Sequence, residues 1–298
     1  MRLSANTNPL FKAFGLEKTI DIFAGAGFDA MDLSAYESEF FTDVHDKEYY
    51  VGIKKYAQSK GLVFNQAHAP HGSSFADEEK TAKRFEEIVT SMKNASYLGV
   101  EHIIVHPCQH LIYDDEGNPE RLFEYNMDFY KRLIPYCEEY GIKVAVENMW
   151  QYPGVISHST CSKPDEFIRY VDELNNDCFV ACLDIGHCVL VREKPDDFIR
   201  ALGNERLKCL HVHDVDGLYD IHAMPYLGIA DWDKITKALA EIDYQGDFTY
   251  EVRPFAARSE ECGYKRKLPE ELFADFYKLM SATGRYLIGK IEEMKKEL

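Results

Sequence analysis

Short, almost continuously apolar runs recur along the chain, and amphipathic stretches fill the gaps between them. His102-Ile-Ile-Val, Ile142-Lys-Val-Ala-Val, Phe179-Val-Ala-Cys-Leu, Leu207-Lys-Cys-Leu and Phe248-Thr-Tyr are too short for ordinary helices and apolar on both alternations. Parallel strands covered on both faces have this pattern. Strand ends are expected near Asn6, Leu33, His68, His106, Glu147, Asp184, His211 and Glu251, at intervals of 27 to 41 residues, the size of a βα unit. Helices are predicted over Glu17–Ala26, Asp77–Leu98, Pro119–Tyr140 and Pro269–Lys296. Gly27, Gly99 and Gly141 supply the stops. Ser162-Lys-Pro-Asp-Glu reads as a helix start with Ser162 as N-cap and an acidic first turn.

Eight such units predict a single (β/α)8 TIM barrel spanning residues 1–298. The competing architecture, a doubly wound open sheet, usually carries a glycine-rich dinucleotide fingerprint after its first strand. Gly25-Ala-Gly27 falls at a helix end instead, and no linker or composition break divides the chain. No organic cofactor is expected. Composition narrows the partners. With 34 basic and 51 acidic side chains the formal charge is −17, which repels nucleic-acid backbone and anionic membrane. The basic clusters, Lys54-Lys55, Lys265-Arg-Lys267 and Lys295-Lys296, are scattered. No apolar run reaches the roughly 18 residues of a membrane span. The N-terminus lacks the apolar core of a signal peptide, so a cytoplasmic location is expected. The eight cysteines form no C-x-x-C pair, and several lie inside apolar strands, so reduced, packing thiols are expected.

The barrel prediction turns the strand ends into a candidate site, because catalytic groups of this fold stand at the C-terminal ends of the strands. Four successive apolar runs end at Glu147, Asp184, His211 and Glu251. Any one of these alone is as readily a hydrogen-bonded structural group. Gathered at one mouth without a cation, the carboxylates would repel one another. Three carboxylates and an imidazole suit a divalent metal, Mn²⁺, Zn²⁺, Co²⁺ or Mg²⁺. His68, His106, His187, Asp220 and His222 join the same list of candidate site residues, with Trp150 near them as a further candidate or a gap-filler between loops. Alternation puts His211 and His213 on one face, and His211 is favoured as the ligand because it directly ends the apolar run. Asn148 is a candidate for orienting a ligand. His45, His110 and His158 have no matching context, and Cys108 and Cys188 have no base placed for them in sequence.

Val-Glu147-Asn, Leu-Asp184-Ile-Gly-His187, His211-Val-His-Asp214, the Asp220-Ile-His222…Gly228 loop and Tyr-Glu251 together resemble the xylose isomerase-like TIM barrel superfamily. That superfamily includes sugar isomerases, ketose 3-epimerases, inosose dehydratases and apurinic-site endonucleases. The resemblance to the epimerase branch implies one metal on Glu147, Asp184, His211 and Glu251, with His187 touching substrate. The resemblance to the endonuclease branch implies three zincs, held by those five residues with His68, His106, Asp220 and His222. Asp-Ile-Gly-His here differs from the Asp-Thr-Cys-His of the nucleases, and His68 is followed by Ala-Pro-His-Gly where they have tyrosine and a DNA-inserting loop.

The expected activity is therefore a divalent-metal-dependent sugar isomerase or epimerase working through an enediolate. Glu147 and Glu251 form its acid/base pair, and its substrate is a small sugar without phosphate. The alternatives are a zinc-dependent apurinic-site endonuclease or phosphodiesterase-like hydrolase, an inosose dehydratase-like lyase, and a catalytically silent sugar- or partner-binding barrel. No nucleic-acid or membrane partner is expected; a homo-oligomer is compatible with the resemblance.

Overall fold

In a computed structural model, residues 1–42, 44–71, 77–151, 158–254 and 269–298 are described. The eight strands are β1 (Leu3–Asn6), β2 (Ala30–Leu33), β3 (Val63–His68), β4 (His102–Ile104), β5 (Lys143–Glu147), β6 (Phe179–Asp184), β7 (Leu207–His211) and β8 (Phe248–Tyr250). They form one parallel sheet in the order β7-β6-β5-β4-β3-β2-β1-β8, with helices between them. The sheet curls until its two outer strands meet. Val212 and Tyr250 make the parallel bridge at that seam, through Val212 N–H to Thr249 O at 2.8 Å and Glu251 N–H to Val212 O at 3.1 Å. The fold is the expected (β/α)8 barrel.

Burial follows the sequence pattern. Every residue of β1, β2, β6 and β8 is buried. One alternation packs outward against the helices, as Val144, Val146, Ala181, Leu183 and Leu210 do within the main core. The other alternation points into the barrel, where Ile104, Ala145, Val180, Cys182 and Cys209 form a separate small cluster. Glu147, Asp184 and His211 share that inward alternation, so their side chains stand directly above an apolar floor. Register completes the placement, since Glu147 pairs with Cys182 and Asp184 with His211.

Three local expectations need correction. The 119–140 stretch is two helices, Asn118–Lys131 and Ile134–Tyr140, because Pro135 lacks the N–H of an uninterrupted helix and clashes with the preceding turn. The N-cap of Pro164–Leu174 is Lys163; the Ser162 hydroxyl instead accepts the Ser159 N–H at 2.9 Å. β4 and β8 stop short of His106 and Glu251, which lie just beyond the strands in the loops. The seven described cysteines are free, while Cys262 and the Lys265-Arg-Lys267 cluster lie outside the described residues. Among the described residues no helix is long and apolar enough to cross a membrane.

Candidate metal centre at the barrel mouth

Glu147, Asp184, His211 and Glu251 each bring one ligand atom into a group whose members lie within 4.8 Å of one another. His211 Nδ1 is 3.2 Å from Glu147 Oε1, 3.5 Å from Glu251 Oε2 and 3.8 Å from Asp184 Oδ2. Glu147, Asp184 and His211 are buried, and Glu251 is the open side of the group at 21% side-chain exposure. Among the described residues neither ring nitrogen of His211 has a hydrogen-bond partner. Buried polar atoms left unpaired cost about 1–3 kcal/mol each. A divalent cation between three carboxylates and an imidazole supplies the missing partner, so the donor set fits one.

The other predicted residues surround this group. His106 Nε2 lies 3.0 Å from Glu147 Oε2, and His68, His106 and Glu147 form a second candidate ligand set. His68 stacks on His211 with ring centroids 4.4 Å apart, and its buried Nε2 has no hydrogen-bond partner among the described residues. On the other side, His222 Nε2 is 2.8 Å and His187 Nε2 3.9 Å from Asp220 Oδ2. His222 has a left-handed backbone, φ 46°, and its Nδ1 meets the Glu251 carbonyl at 2.7 Å. The carbonyl only accepts, so Nδ1 carries the hydrogen and Nε2 faces Asp220. Trp150, half-buried, lies 6.3 Å from the His187 ring. The Asn148 amide brackets the Asp184 backbone, accepting its N–H at 2.7 Å and donating to its carbonyl at 3.0 Å.

Electrostatics ties the group together. Burial alone would push the Glu147 carboxyl up, but the His211 and His106 rings outweigh it and hold Glu147 well below the usual carboxylate range. Burial acts the same way on Asp184, and His187 and His213 lower it. The histidines move oppositely: burial would lower His187, yet Asp184 and Asp220 raise it well above its ordinary value.

Asp32 and His213, absent from the predicted set, also belong to this mouth. Asp32, fully buried on β2, lies 3.0 Å from His68 Nδ1. His213 sets Nε2 2.9 Å from both Asp184 oxygens. Asp214 has a different part. Its buried carboxylate accepts the N–H groups of Val215 and Ala230 on Oδ1, at 2.9 and 3.0 Å, and those of Tyr226 and the Trp232 indole on Oδ2, at 3.1 and 2.8 Å. It thereby ties down the loop that carries Asp220 and His222. Gly228 makes this possible, because a Cβ there would sit 2.2 Å from Asp214 Oδ1.

His71 lies beside the centre, its ring centroid 5.3 Å from that of His106, whereas His45, His110 and His158 lie away from it. His45 stacks on Tyr49, and His158 lies between Asp114 and Glu193 at 3.7 and 3.6 Å. His110 Nδ1 is 2.6 Å from Cys108 Sγ, a neighbour that sequence spacing did not supply. Cys188 is buried, with Asn148 Nδ2 3.4 Å from its sulfur.

Residues 20–268 match the family model described as "Xylose isomerase-like TIM barrel". The chain is 26% identical over 268 residues to the D-psicose 3-epimerase of Enterocloster bolteae, covering 87% of this chain and 83% of that protein. Solved structures with the same fold include D-psicose 3-epimerase with D-tagatose from Clostridium cellulolyticum H10, with TM-score 0.75, 16% identity, and 96% of this chain and 99% of that one covered. The IOLI protein with a zinc atom has TM-score 0.73 and 18% identity, with 98% of each chain covered.

Proposed function

The chain belongs to the xylose isomerase-like TIM barrel family, and from that premise we propose that it is a divalent-metal-dependent epimerase or isomerase of a small sugar. The observation that carries this reading is the buried group Glu147, Asp184, His211 and Glu251, with an imidazole that has no hydrogen-bond partner among the described residues. These four residues would hold the cation, which supplies Lewis-acid polarisation of a substrate carbonyl. The similarity to a D-psicose 3-epimerase supports a sugar as the substrate class.

The protein's own side chains then account for the proton traffic. Glu147 and Glu251 approach the shared centre from β5 and from the end of β8. One takes the proton from the carbon beside the carbonyl, leaving an enediolate, and the other returns a proton to the opposite face. His187 Nε2, 3.9 Å from Asp220 Oδ2, would hydrogen-bond a substrate hydroxyl, and His222 would do so by exchanging its Asp220 contact for the substrate. Trp150 offers an aromatic face to the C–H side of the sugar.

The test is deuterium uptake. Metal-replete protein is incubated with a panel of ketoses in D₂O, and exchange is read by NMR. Wild-type protein should exchange the proton at C3 or C1 of at least one sugar. Glu147→Gln and Glu251→Gln should each lose at least about 100-fold, the lower bound of a general acid–base contribution. A metal-replete wild type that exchanges no proton on any sugar overturns the reading.

A second reading has a specific observation behind it. His68–His106–Glu147 and His213–Asp220–His222 are two further candidate ligand sets at the same mouth. Two or three zincs there would favour phosphodiester hydrolysis, and the formal charge of −17 weighs against a DNA substrate. Elemental analysis separates the cases, since one equivalent of metal fits sugar chemistry and two or three fit the hydrolase. Dehydration of an inositol-type ketone begins with the same proton abstraction, and loss of water from the product would identify it.

A further inference from the structure

Gly186 sits in the helix Ile185–Leu190, immediately after β6, where glycine costs about 1 kcal/mol relative to alanine. Its backbone does not require glycine, because its φ is not in the left-handed region. Space does require it. A Cβ on Gly186 would lie 2.1 Å from His213 Cε1 and 2.6 and 2.7 Å from the two ring nitrogens. His213 is fully buried and cannot swing into solvent to make room. Its ring stacks on His222, centroids 4.3 Å apart.

The ring is also held by its polar contacts. Nε2 lies 2.9 Å from both oxygens of Asp184. An ionised carboxylate only accepts, so Nε2 carries the hydrogen. Asp184 Oδ1 takes a further hydrogen bond from the His187 amide at 2.7 Å. Two fixed donors, one from the ring and one from the helix backbone, lock the rotation of this carboxylate. Oδ2 is left 3.8 Å from His211 Nδ1.

We propose that His213 is a positioning residue, which holds the Asp184 carboxylate in the orientation needed to ligate a divalent cation with Glu147, His211 and Glu251, and that Gly186 is the seat the ring requires. A ring present only to fill space would need neither the two-oxygen contact nor a glycine opposite it. The inference rests on the cation reading given above.

Two measurements test it. In ¹⁵N-labelled, metal-free protein, NMR should find a slowly exchanging His213 Nε2–H, and Gly186→Ala should abolish it. Calorimetric titration with Mn²⁺ alone should show affinity reduced about 10- to 100-fold in both His213→Ala and Gly186→Ala, the usual effect of losing a group that orients a ligand. The double variant should be no weaker than His213→Ala, because the glycine serves only the ring. His213→Gln, which keeps an N–H near the Nε2 position, should recover most of the affinity; pure packing predicts no such rescue. Melting of the metal-free variants reports whether each is folded. Additive losses in the double variant, or undiminished Mn²⁺ affinity in His213→Ala, overturn the proposal alone. Wild-type protein that binds no Mn²⁺ while keeping the Gly186-dependent proton overturns the cation reading beneath it.

Discussion

Glu166 lies in the first turn of Pro164–Leu174, and its buried Oε2 has no hydrogen-bond partner among the described residues. Burial pushes its carboxyl up to about 7, against the lowering effect of the Tyr113 hydroxyl. The folded chain therefore keeps a proton that the unfolded chain releases near its ordinary value of 4.5. This contribution to stability is complete below pH 4.5 and is lost as the pH rises through about 7. Glu166→Gln, which mimics the protonated acid at every pH, should melt like wild type at pH 4 and above it at pH 8. A difference that is equal at the two pH values would refute this account. The same scale shows what one sequence discloses about a site. Glu147, Asp184 and His211 announce themselves because each closes an apolar run. Asp32 does not, since it lies inside Ala30-Met-Asp-Leu33 between two apolar residues, and only the pairing of β2 with β3 brings it to His68. Alternation named His213 only as the alternative ligand to His211. The contact with Asp184 spans two strands and has no trace in local spacing.

At the scale of elements, the glycines of one helix have opposite consequences. Gly284 and Gly289 both lie in Glu270–Glu297. A Cβ on Gly284 would meet Leu3 Cδ1 at 2.5 Å and Tyr250 Cε2 at 2.9 Å, so this helix reaches β1 and β8 only because that position is bare. Among the described residues nothing lies within 4 Å of a Cβ on Gly289. Alanine favours helix over glycine by about 1 kcal/mol, whereas overpacking a filled core costs about 1–3 kcal/mol. Gly289→Ala should therefore stabilise by about 1 kcal/mol. In Gly284→Ala the steric term exceeds the propensity gain, for a net loss of up to about 2 kcal/mol. Urea unfolding of the two variants checks both signs, and a stabilised Gly284→Ala would contradict the packing described here. Helices and strands were largely legible from periodicity. The exception, the break between Asn118–Lys131 and Ile134–Tyr140, was written in Pro135 but overridden by the apolar pattern running through it.

At the scale of the whole molecule, the repeat of apolar run and amphipathic gap was enough to predict the barrel, because parallel strands with crossover helices have few ways to cover both faces. Ligand binding should be felt globally. If Mn²⁺ binds the folded chain alone, then raising it to about 100 times its dissociation constant should stabilise the fold by about 2.7 kcal/mol. Thermal melts with and without Mn²⁺ measure this, and Glu147→Gln should blunt the response. A wild-type melting temperature indifferent to Mn²⁺, Co²⁺ and Zn²⁺ would speak against a resident cation. The seam of the barrel gives this coupling a direction. Strands β7 and β8 join through Val212 and Tyr250, and the residues flanking that bridge are His211 and Glu251. The last stave of the hoop is thus fastened by the same two stretches that reach for the ion. Whatever draws His211 and Glu251 together also cinches the hoop, and whatever springs the clasp scatters the ligands.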